Sequence, residues 1–254
     1  MQNSYDAIYL SPHLDDAALS CGGHIFQQTQ AGQQVLIVTI TAGDPAVSRV
    51  SEYAQSLHAR WELLVDAVAA RRAEDLAANR ILGADTLHWT APDCIYRYHP
   101  ESGAPFYVSD PDIFGEVHPA ERGLVNDLAR QMAQLPAAQR IYTPLTIGHH
   151  VDHQLTRAAA ELCFGVQRLT YYEDYPYAEK PGALAAVIPD EQRDWAATVI
   201  PLAEGDVLAK IEAIYAFKSQ LSTFFDSRPH LEQRIRDFTK LVGGERVWRM
   251  IRLG

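Results

Sequence analysis

YDAIYLSPHLDD, residues 5–16, carries the clearest indication of the fold class. Its first half, Tyr5 to Leu10, is short, apolar and rich in β-forming residues, and it ends at Ser11-Pro12. Helix-like spacing of apolar residues then runs from about Asp16 to Gln30. A strand that leads through a tight turn into a helix is the repeating unit of layered α/β proteins, so this stretch predicts an α/β fold.

The rest of the chain continues the alternation of strands and helices. VLIVTIT, residues 35–41, is a continuous β-branched run typical of a buried parallel strand. Further strands are predicted at 86–90, 140–143, 168–172, 196–201 and 246–253, and helices at 53–82, 111–135, from 152 onward and at 202–220. We therefore expect one domain over residues 1–254, built on a mostly parallel central sheet. Ligands of such sheets bind beyond the carboxyl ends of the strands.

Composition narrows the class of protein. The chain of 254 residues is 47% hydrophobic and 21% charged, which is typical of a globular protein. Its net charge of −10 disfavours nonspecific binding to nucleic acid or anionic membranes. The longest apolar runs are too short to span a bilayer, and the first residues lack the features of a secretion signal, so a cytoplasmic location is predicted.

The first chemically suggestive cluster lies in the turn after the first predicted strand. His13 and Asp16 are three residues apart and can approach one cation across a tight turn. Asp15, beside them, would then be free to accept a proton from water. The alternative interpretation of two aspartates at the start of a helix is that they cap the helix and interact with its dipole.

The second cluster, GHHVDH, occupies residues 148–153 and again follows a predicted strand. His150 and His153 are three residues apart at the start of a helix and can address one site. Asp152 is placed to orient a histidine ring through its second nitrogen. Each histidine alone could be a surface residue, but three within five residues, in a chain with ten, favour a binding site.

Together the clusters offer histidine and carboxylate ligands with a coordination position left open, as in a catalytic zinc site. The same ligands would accept Fe²⁺, Co²⁺ or Mn²⁺. The three cysteines are widely spaced and form no CxxC pair, so neither a disulfide framework nor a cysteine-based zinc site is expected. Cys21 is interpreted as a small buried residue.

These motifs resemble those of the LmbE-like, or PIG-L, family of zinc-dependent N-acetylglucosaminyl deacetylases. The matching segments are PHLDD at 12–16, RRAE at 71–74, HVDH at 150–153 and FKSQ at 217–220, in the family's order. The resemblance spans about residues 5 to 220.

The resemblance implies a Rossmann-like, three-layer fold and a hydrolase that removes an acetyl group from a small N-acetyl amino-sugar conjugate. It implies zinc held by His13, Asp16 and His153, with Asp15 as general base. A protonated His150 would stabilise the oxyanion. For substrate binding, the matched positions are Arg71 and Asp93.

The chain also departs from the family pattern. Many members read His-Pro-Asp-Asp-Glu, whereas Leu14 and Ala17 replace the proline and the glutamate here. The resemblance therefore does not extend to the identity of the sugar. Two alternatives stay open, namely a metal-dependent esterase or phosphoesterase and a non-catalytic sugar-binding homologue. The aromatic run at 171–177 is interpreted either as the lining of a sugar cleft or as a packed loop.

Overall fold

A computed structural model describes residues 2–45, 50–61, 66–189 and 194–251. Seven strands within these ranges form one sheet in the order β3-β2-β1-β4-β5-β7-β6. Their bounds are β1 Ser4–Ser11, β2 Val35–Thr39, β3 Asp85–His88, β4 Ala137–Pro144, β5 Leu169–Tyr172, β6 Trp195–Ile200 and β7 Glu245–Met250. Strands β1 to β5 pair in parallel, and β7 pairs antiparallel with both β5 and β6.

Helices cover both faces of the sheet. Their bounds are α1 Asp16–Gln30, α2 Glu52–Arg60, α3 Ala67–Leu82, α4 Asp110–Ile113, α5 Arg122–Met132, α6 Val151–Phe164, α7 Ala183–Val187, α8 Glu204–Ala216, α9 Lys218–Phe224 and α10 Arg228–Val242. On one face α1, α3 and α8 pack against each other, and on the other face α5 packs against α6. Separate apolar clusters fill the two interfaces. The expected three-layer α/β fold with a mostly parallel sheet is confirmed.

Three of the predicted helices are in fact interrupted. The helix expected over 53–82 consists of α2 and α3, because Asp66 adopts a left-handed conformation with φ of 58°; residues 62–65 of that prediction lie outside the described residues. The helix expected over 202–220 is divided at Phe217, whose ψ of 66° is not helical. The helix expected over 111–135 is replaced by α4 and α5.

The C-terminal part differs most from the sequence-based expectation. Helix α10 follows α9, although no helix is predicted there from the sequence. Strand β7 begins at Glu245 and ends at Met250, and the last residues of the strand predicted over 246–253 lie outside the described part of the chain. Within that part, no helix has the length and apolar character needed to cross a bilayer.

Candidate active site

The two sequence clusters meet at the carboxyl ends of β1 and β4, which are neighbouring parallel strands. The turn between β1 and α1 carries the first cluster, and the loop between β4 and α6 carries the second. Because parallel strands end at the same edge of a sheet, side chains separated by about half of the chain become neighbours.

Asp16 lies at the centre of the candidate metal site. Its Oδ2 atom is 3.1 Å from Nδ1 of His13 and 3.2 Å from Nε2 of His153. The backbone N–H of His13 also donates a hydrogen bond to this oxygen, at 2.8 Å. Burial opposes ionisation, yet His153 and His13 hold the pKa of Asp16 well below its usual range.

Both histidine rings are held in place from behind by a second carboxylate. Asp152 Oδ2 is 3.0 Å from Nε2 of His13, and Asp174 Oδ1 is 2.6 Å from Nδ1 of His153. The expectation that Asp152 orients a ring fits this geometry, and the ring is that of His13. Asp174 was not singled out from the sequence.

A buried arginine fixes Asp152 in turn. Arg97 donates hydrogen bonds to Asp152 and to Glu121, and the backbone N–H of Cys94 donates to Asp152 at 3.0 Å. Arg97 lies in the loop that follows β3, so this loop is attached to the start of α6. Apart from the arginine itself, nothing in the local sequence of this loop predicts that it contacts Asp152.

Asp15 is buried beside the metal site and its side chain makes no capping hydrogen bond within the described residues. The capping interpretation of this aspartate is therefore wrong. Burial and the charge of Asp16 raise the pKa of Asp15 to about 7, against the opposing charges of Arg71 and His13. An Arg71 guanidinium nitrogen lies 3.7 Å from its Oδ2 atom.

Arg71 links the metal site to the entrance of a cleft. Its guanidinium lies 4.8 Å from the ring centroid of Trp61 and 3.8 Å from Asp93 Oδ2. The Nε atom of Arg71 is buried and has no hydrogen-bond partner among the described residues. A buried donor without a partner is costly, so this atom is a candidate for contact with a ligand.

His150 caps the start of α6, and its Nδ1 atom accepts a hydrogen bond from the backbone N–H of Asp152 at 3.2 Å. Its ring packs edge-on against His13, with centroids 4.6 Å apart. Burial and the nearby charge of His13 lower the pKa of His150 well below its usual value. The protonated form that the sequence hypothesis required is thus disfavoured, and the neutral ring presents an Nε2–H group.

An open cleft of about 210 Å³ lies over these residues. Its floor is polar and its walls are largely apolar and aromatic. Lining residues include His13, Asp15, Asp16, Arg71, Asp93 and His150 at the floor, and Tyr53, Leu57, Trp61, Ile113, Phe114, Tyr177 and Phe224 in the walls. His153 and Asp152 lie directly beneath the floor.

Some residues from the two motifs do not contribute to the cleft. His149 lies outside it and faces Glu116, with 53% of its side chain exposed. From the aromatic run at 171–177 only Tyr177 lines the cleft, because Tyr171, Tyr172 and Tyr175 are buried in the core. Cys21 is buried, and burial raises the pKa of its thiol, which fits the expected packing role.

The donor set fits a divalent metal ion. Ligand atoms of His13, His150 and His153 lie within 4.8 Å of one another, and Asp16 adds a carboxylate oxygen at the same place. Although burial opposes protonation, Asp16 and Asp174 raise the pKa of His153 to about 9. The surrounding carboxylates thus favour positive charge at this point. A cation held by His13, His153 and Asp16 would supply that charge.

Comparison with known proteins gives matches of three kinds. The family model described as PIG-L, GlcNAc-PI de-N-acetylase, matches residues 8–164. A 2'-N-acetylparomamine deacetylase from Niallia circulans is 28% identical over an alignment of 185 residues. The alignment covers 67% of this chain and 66% of that enzyme, so this chain spans slightly less than two thirds of the enzyme's length.

Among solved structures, the zinc-inhibited form of teicoplanin deacetylase Orf2 matches with a TM-score of 0.81 and 29% identity, covering 97% of this chain and 98% of that one. A deacetylase in complex with teicoplanin matches with a TM-score of 0.78 and 30% identity, covering 98% and 99%.

Proposed function

The chain belongs to the PIG-L family, and from this premise we propose that it is a metal-dependent hydrolase that removes the acetyl group from the nitrogen of an amino-sugar conjugate. The observation that carries the proposal is the convergence of His13, Asp16 and His153 at the floor of an open cleft, with Asp15 beside them. The named activities of the relatives, on acetylparomamine and teicoplanin, support this substrate class.

His13, Asp16 and His153 would hold the metal, which we propose to be zinc, although the same ligands accept Fe²⁺, Co²⁺ or Mn²⁺. When bound, such an ion lowers the pKa of water and polarises a carbonyl oxygen. Asp152 and Asp174 keep the two rings oriented through their second nitrogens, at 3.0 and 2.6 Å.

Asp15 would transfer the proton between the two stages of the reaction. It takes a proton from the attacking water as the new carbon–oxygen bond forms. It then gives that proton to the sugar nitrogen as the carbon–nitrogen bond breaks, which releases acetate and a free amine. Arg71, 3.7 Å away, keeps the carboxylate oriented towards the floor of the cleft.

His150, Arg71 and Asp93 would bind the substrate around the reacting carbon. The neutral His150 donates its Nε2–H group to the oxygen that develops negative charge. Arg71 and Asp93, 3.8 Å apart, offer a donor and an acceptor to sugar hydroxyls at the floor of the cleft. The apolar walls, with Trp61 and Phe114, suit the faces of a sugar ring or an apolar aglycone.

A product screen separates this proposal from the alternatives. The purified protein is assayed for acetate release from N-acetylglucosamine conjugates and N-acetyl aminoglycosides, against release of phosphate and alcohol from aryl phosphates and acetates. Metal content of the same preparation is measured, and zinc is titrated through and beyond one equivalent because one relative is described as zinc-inhibited. We expect acetate from the amides with about one bound metal ion.

A matched pair of variants links the activity to the site. His153→Asn removes a proposed metal ligand, whereas His149→Asn makes the same change four residues earlier, outside the cleft. Asparagine tolerates the left-handed backbone of position 149. We expect the first variant to lose metal and activity and the second to keep both. Phosphate release in place of acetate, or sugar binding unaffected by a chelator with no hydrolysis, would overturn the proposal.

A further inference from the structure

A second, smaller cavity meets the cleft at Asp15. It lies between α1, α8 and α9, and its walls are the apolar side chains of Leu19, Ile214, Phe217, Leu221, Phe224 and Phe225. Asp15 and Gln220 lie at its mouth and line both the cavity and the cleft. The cavity has room for about one water-sized or methyl-sized group.

We propose that this cavity receives the acyl end of the substrate and restricts the enzyme to very short acyl groups. The inference rests on the proposed function, because it starts from a carbonyl carbon held beside Asp15. That carbon carries an oxygen, a nitrogen bearing the sugar, and the acyl chain. Each of these three substituents needs a place of matching size and polarity.

The places can be assigned by chemistry. The oxygen belongs with the metal site and His150, where a bound ion would supply positive charge and the ring an N–H group. The sugar is too large for anything except the open cleft. The acyl carbon is small and apolar, and the apolar space that opens at Asp15 is the cavity behind Leu19. Leu19 is one helical turn beyond Asp15, and its backbone N–H donates to the Asp15 carbonyl at 2.9 Å.

The walls of the cavity are attached at several points, so its size is fixed. Glu74 on α3 accepts hydrogen bonds from the backbone N–H and the hydroxyl of Ser219, at 2.9 and 2.6 Å, which anchors the start of α9. At the far end of α9, Arg234 donates to the carbonyl of Phe224 at 2.6 Å. The Arg234 guanidinium also lies 5.2 Å from the ring centroid of Phe225.

A fixed apolar cavity discriminates strongly against added methylene groups, because overpacking forces the walls apart. We therefore expect kcat/KM of the wild-type protein to fall by about tenfold or more for each carbon added between acetyl and butanoyl. The test uses p-nitrophenyl glucosaminides carrying N-acetyl, N-propanoyl, N-butanoyl or N-hexanoyl groups. Release of the free amine is measured.

Two variants enlarge the cavity without changing the polar site. Leu221→Ala should raise the ratio of butanoyl to acetyl kcat/KM by about tenfold. Ile214→Val removes a single methyl group, is less disruptive to folding, and should raise the ratio by about fourfold. The control is Leu231→Ala, which makes the same change in the same apolar cluster at a residue that does not line the cavity. Its ratio should stay at the wild-type value.

The outcomes distinguish the inference from the function on which it rests. If the wild-type protein releases no amine from these amides or from the N-acetyl conjugates of the product screen, the proposed function fails and the acyl site fails with it. If it cleaves the acetyl amide and the butanoyl amide equally well, only the acyl site is overturned. The acyl site alone is also overturned if both cavity variants fold and keep the wild-type ratio of butanoyl to acetyl kcat/KM, while Ile113→Ala, in the outer cleft, changes that ratio.

Discussion

Helix α1 contributes to two buried charged clusters that differ in how their charge is balanced. The edge cluster, at the start of α1, comprises His13, Asp15, Asp16 and His153. The helix-centre cluster, in the middle of α1, is formed by Lys210 and Glu245 around Gly23 and His24. The first lies at the floor of the cleft as the proposed site of a metal ion, whereas in the second the carboxylate of Glu245 is balanced by Lys210 of the protein itself.

The helix-centre cluster is fully paired. Lys210 Nζ lies 2.7 Å from Glu245 Oε1, and the other contacts of this carboxylate are the backbone N–H groups of Gly23 and His24, at 3.0 and 2.8 Å. A Cβ atom on Gly23 would lie 2.5 Å from Leu202 Cδ1. Glycine at this position therefore leaves room for the Leu202 side chain against α1.

Burial of charged groups alone does not identify a functional site. Among the described residues, only the edge cluster lines the cleft described above. Its carboxylates Asp15 and Asp16 outnumber the one arginine, Arg71, that lies beside them, whereas Glu245 is matched by Lys210. A cluster that is complete without a ligand stabilises the fold. A cluster whose charge is balanced only when a cation binds is suited to catalysis.

The largest expected effect tests the edge cluster directly. Asp15→Asn keeps the size of the side chain and removes its ability to accept a proton, so kcat should fall by about 10²- to 10⁴-fold. Metal content and melting temperature should stay close to wild type, because Asp15 is not a proposed ligand. Full activity in a metal-loaded Asp15→Asn protein would show that Asp15 is not the general base.

The next largest effect tests the helix-centre cluster. Lys210→Met leaves Glu245 as a buried charge without its partner, and should lower the free energy of unfolding by about 3–5 kcal/mol. The double variant with Glu245→Gln should regain part of this loss. Urea unfolding measures both, and kcat of the folded Lys210→Met protein should be unchanged. A loss of less than about 1 kcal/mol would show that the pair is dispensable.

Removal of metal should distinguish the two clusters by stability. At free zinc about 100 times its Kd, the bound ion should add about 2.7 kcal/mol to the free energy of unfolding, and a chelator should abolish this gain. His153→Asn should lose the dependence on zinc, whereas Lys210→Met should keep it despite its lower stability. A zinc-dependent shift in melting temperature that persists in His153→Asn would place the metal elsewhere.

The smallest expected effect is the pH dependence of the helix-centre cluster. Burial lowers the pKa of His24 below its ordinary 6.5, against the opposing influence of Glu245. The unfolded chain therefore takes up this proton at higher pH than the folded protein, so stability falls as pH drops below about 6.5. The difference in unfolding free energy between wild type and His24→Gln, measured from pH 8 to 5, isolates this contribution. A difference independent of pH would contradict it.

The sequence predicted the sheet and the clusters well because both depend on local patterns. The continuous run at 35–41 and the motifs around His13 and His150 lie directly at strand ends, where topology brings them together. Arg71 and Asp93, which the resemblance matched to substrate-binding positions, line the cleft, and Asp152, predicted from its place beside the histidines, contacts the ring of His13. Their roles remain predictions.

Contacts between distant segments could not be predicted in this way. Asp174, behind His153, and Arg97, behind Asp152, lie in segments whose local sequence resembles an ordinary turn and loop. Only the fold shows that they reach the site. Likewise, the non-helical backbone at Asp66 and Phe217 could not be predicted, since the helical periodicity of the sequence continues across both positions.

The anchor between Glu74 and Ser219 has a consequence for how substrate preference can diverge. The residues proposed to carry out hydrolysis all lie within the family-matched portion, residues 8–164, whereas most of the wall of the small cavity comes from α8 and α9, beyond it. These two parts are joined by hydrogen bonds to one carboxylate on α3. A lineage can therefore replace the wall by mutation or by recombination downstream of residue 164, and so acquire new substrates while inheriting the catalytic apparatus intact.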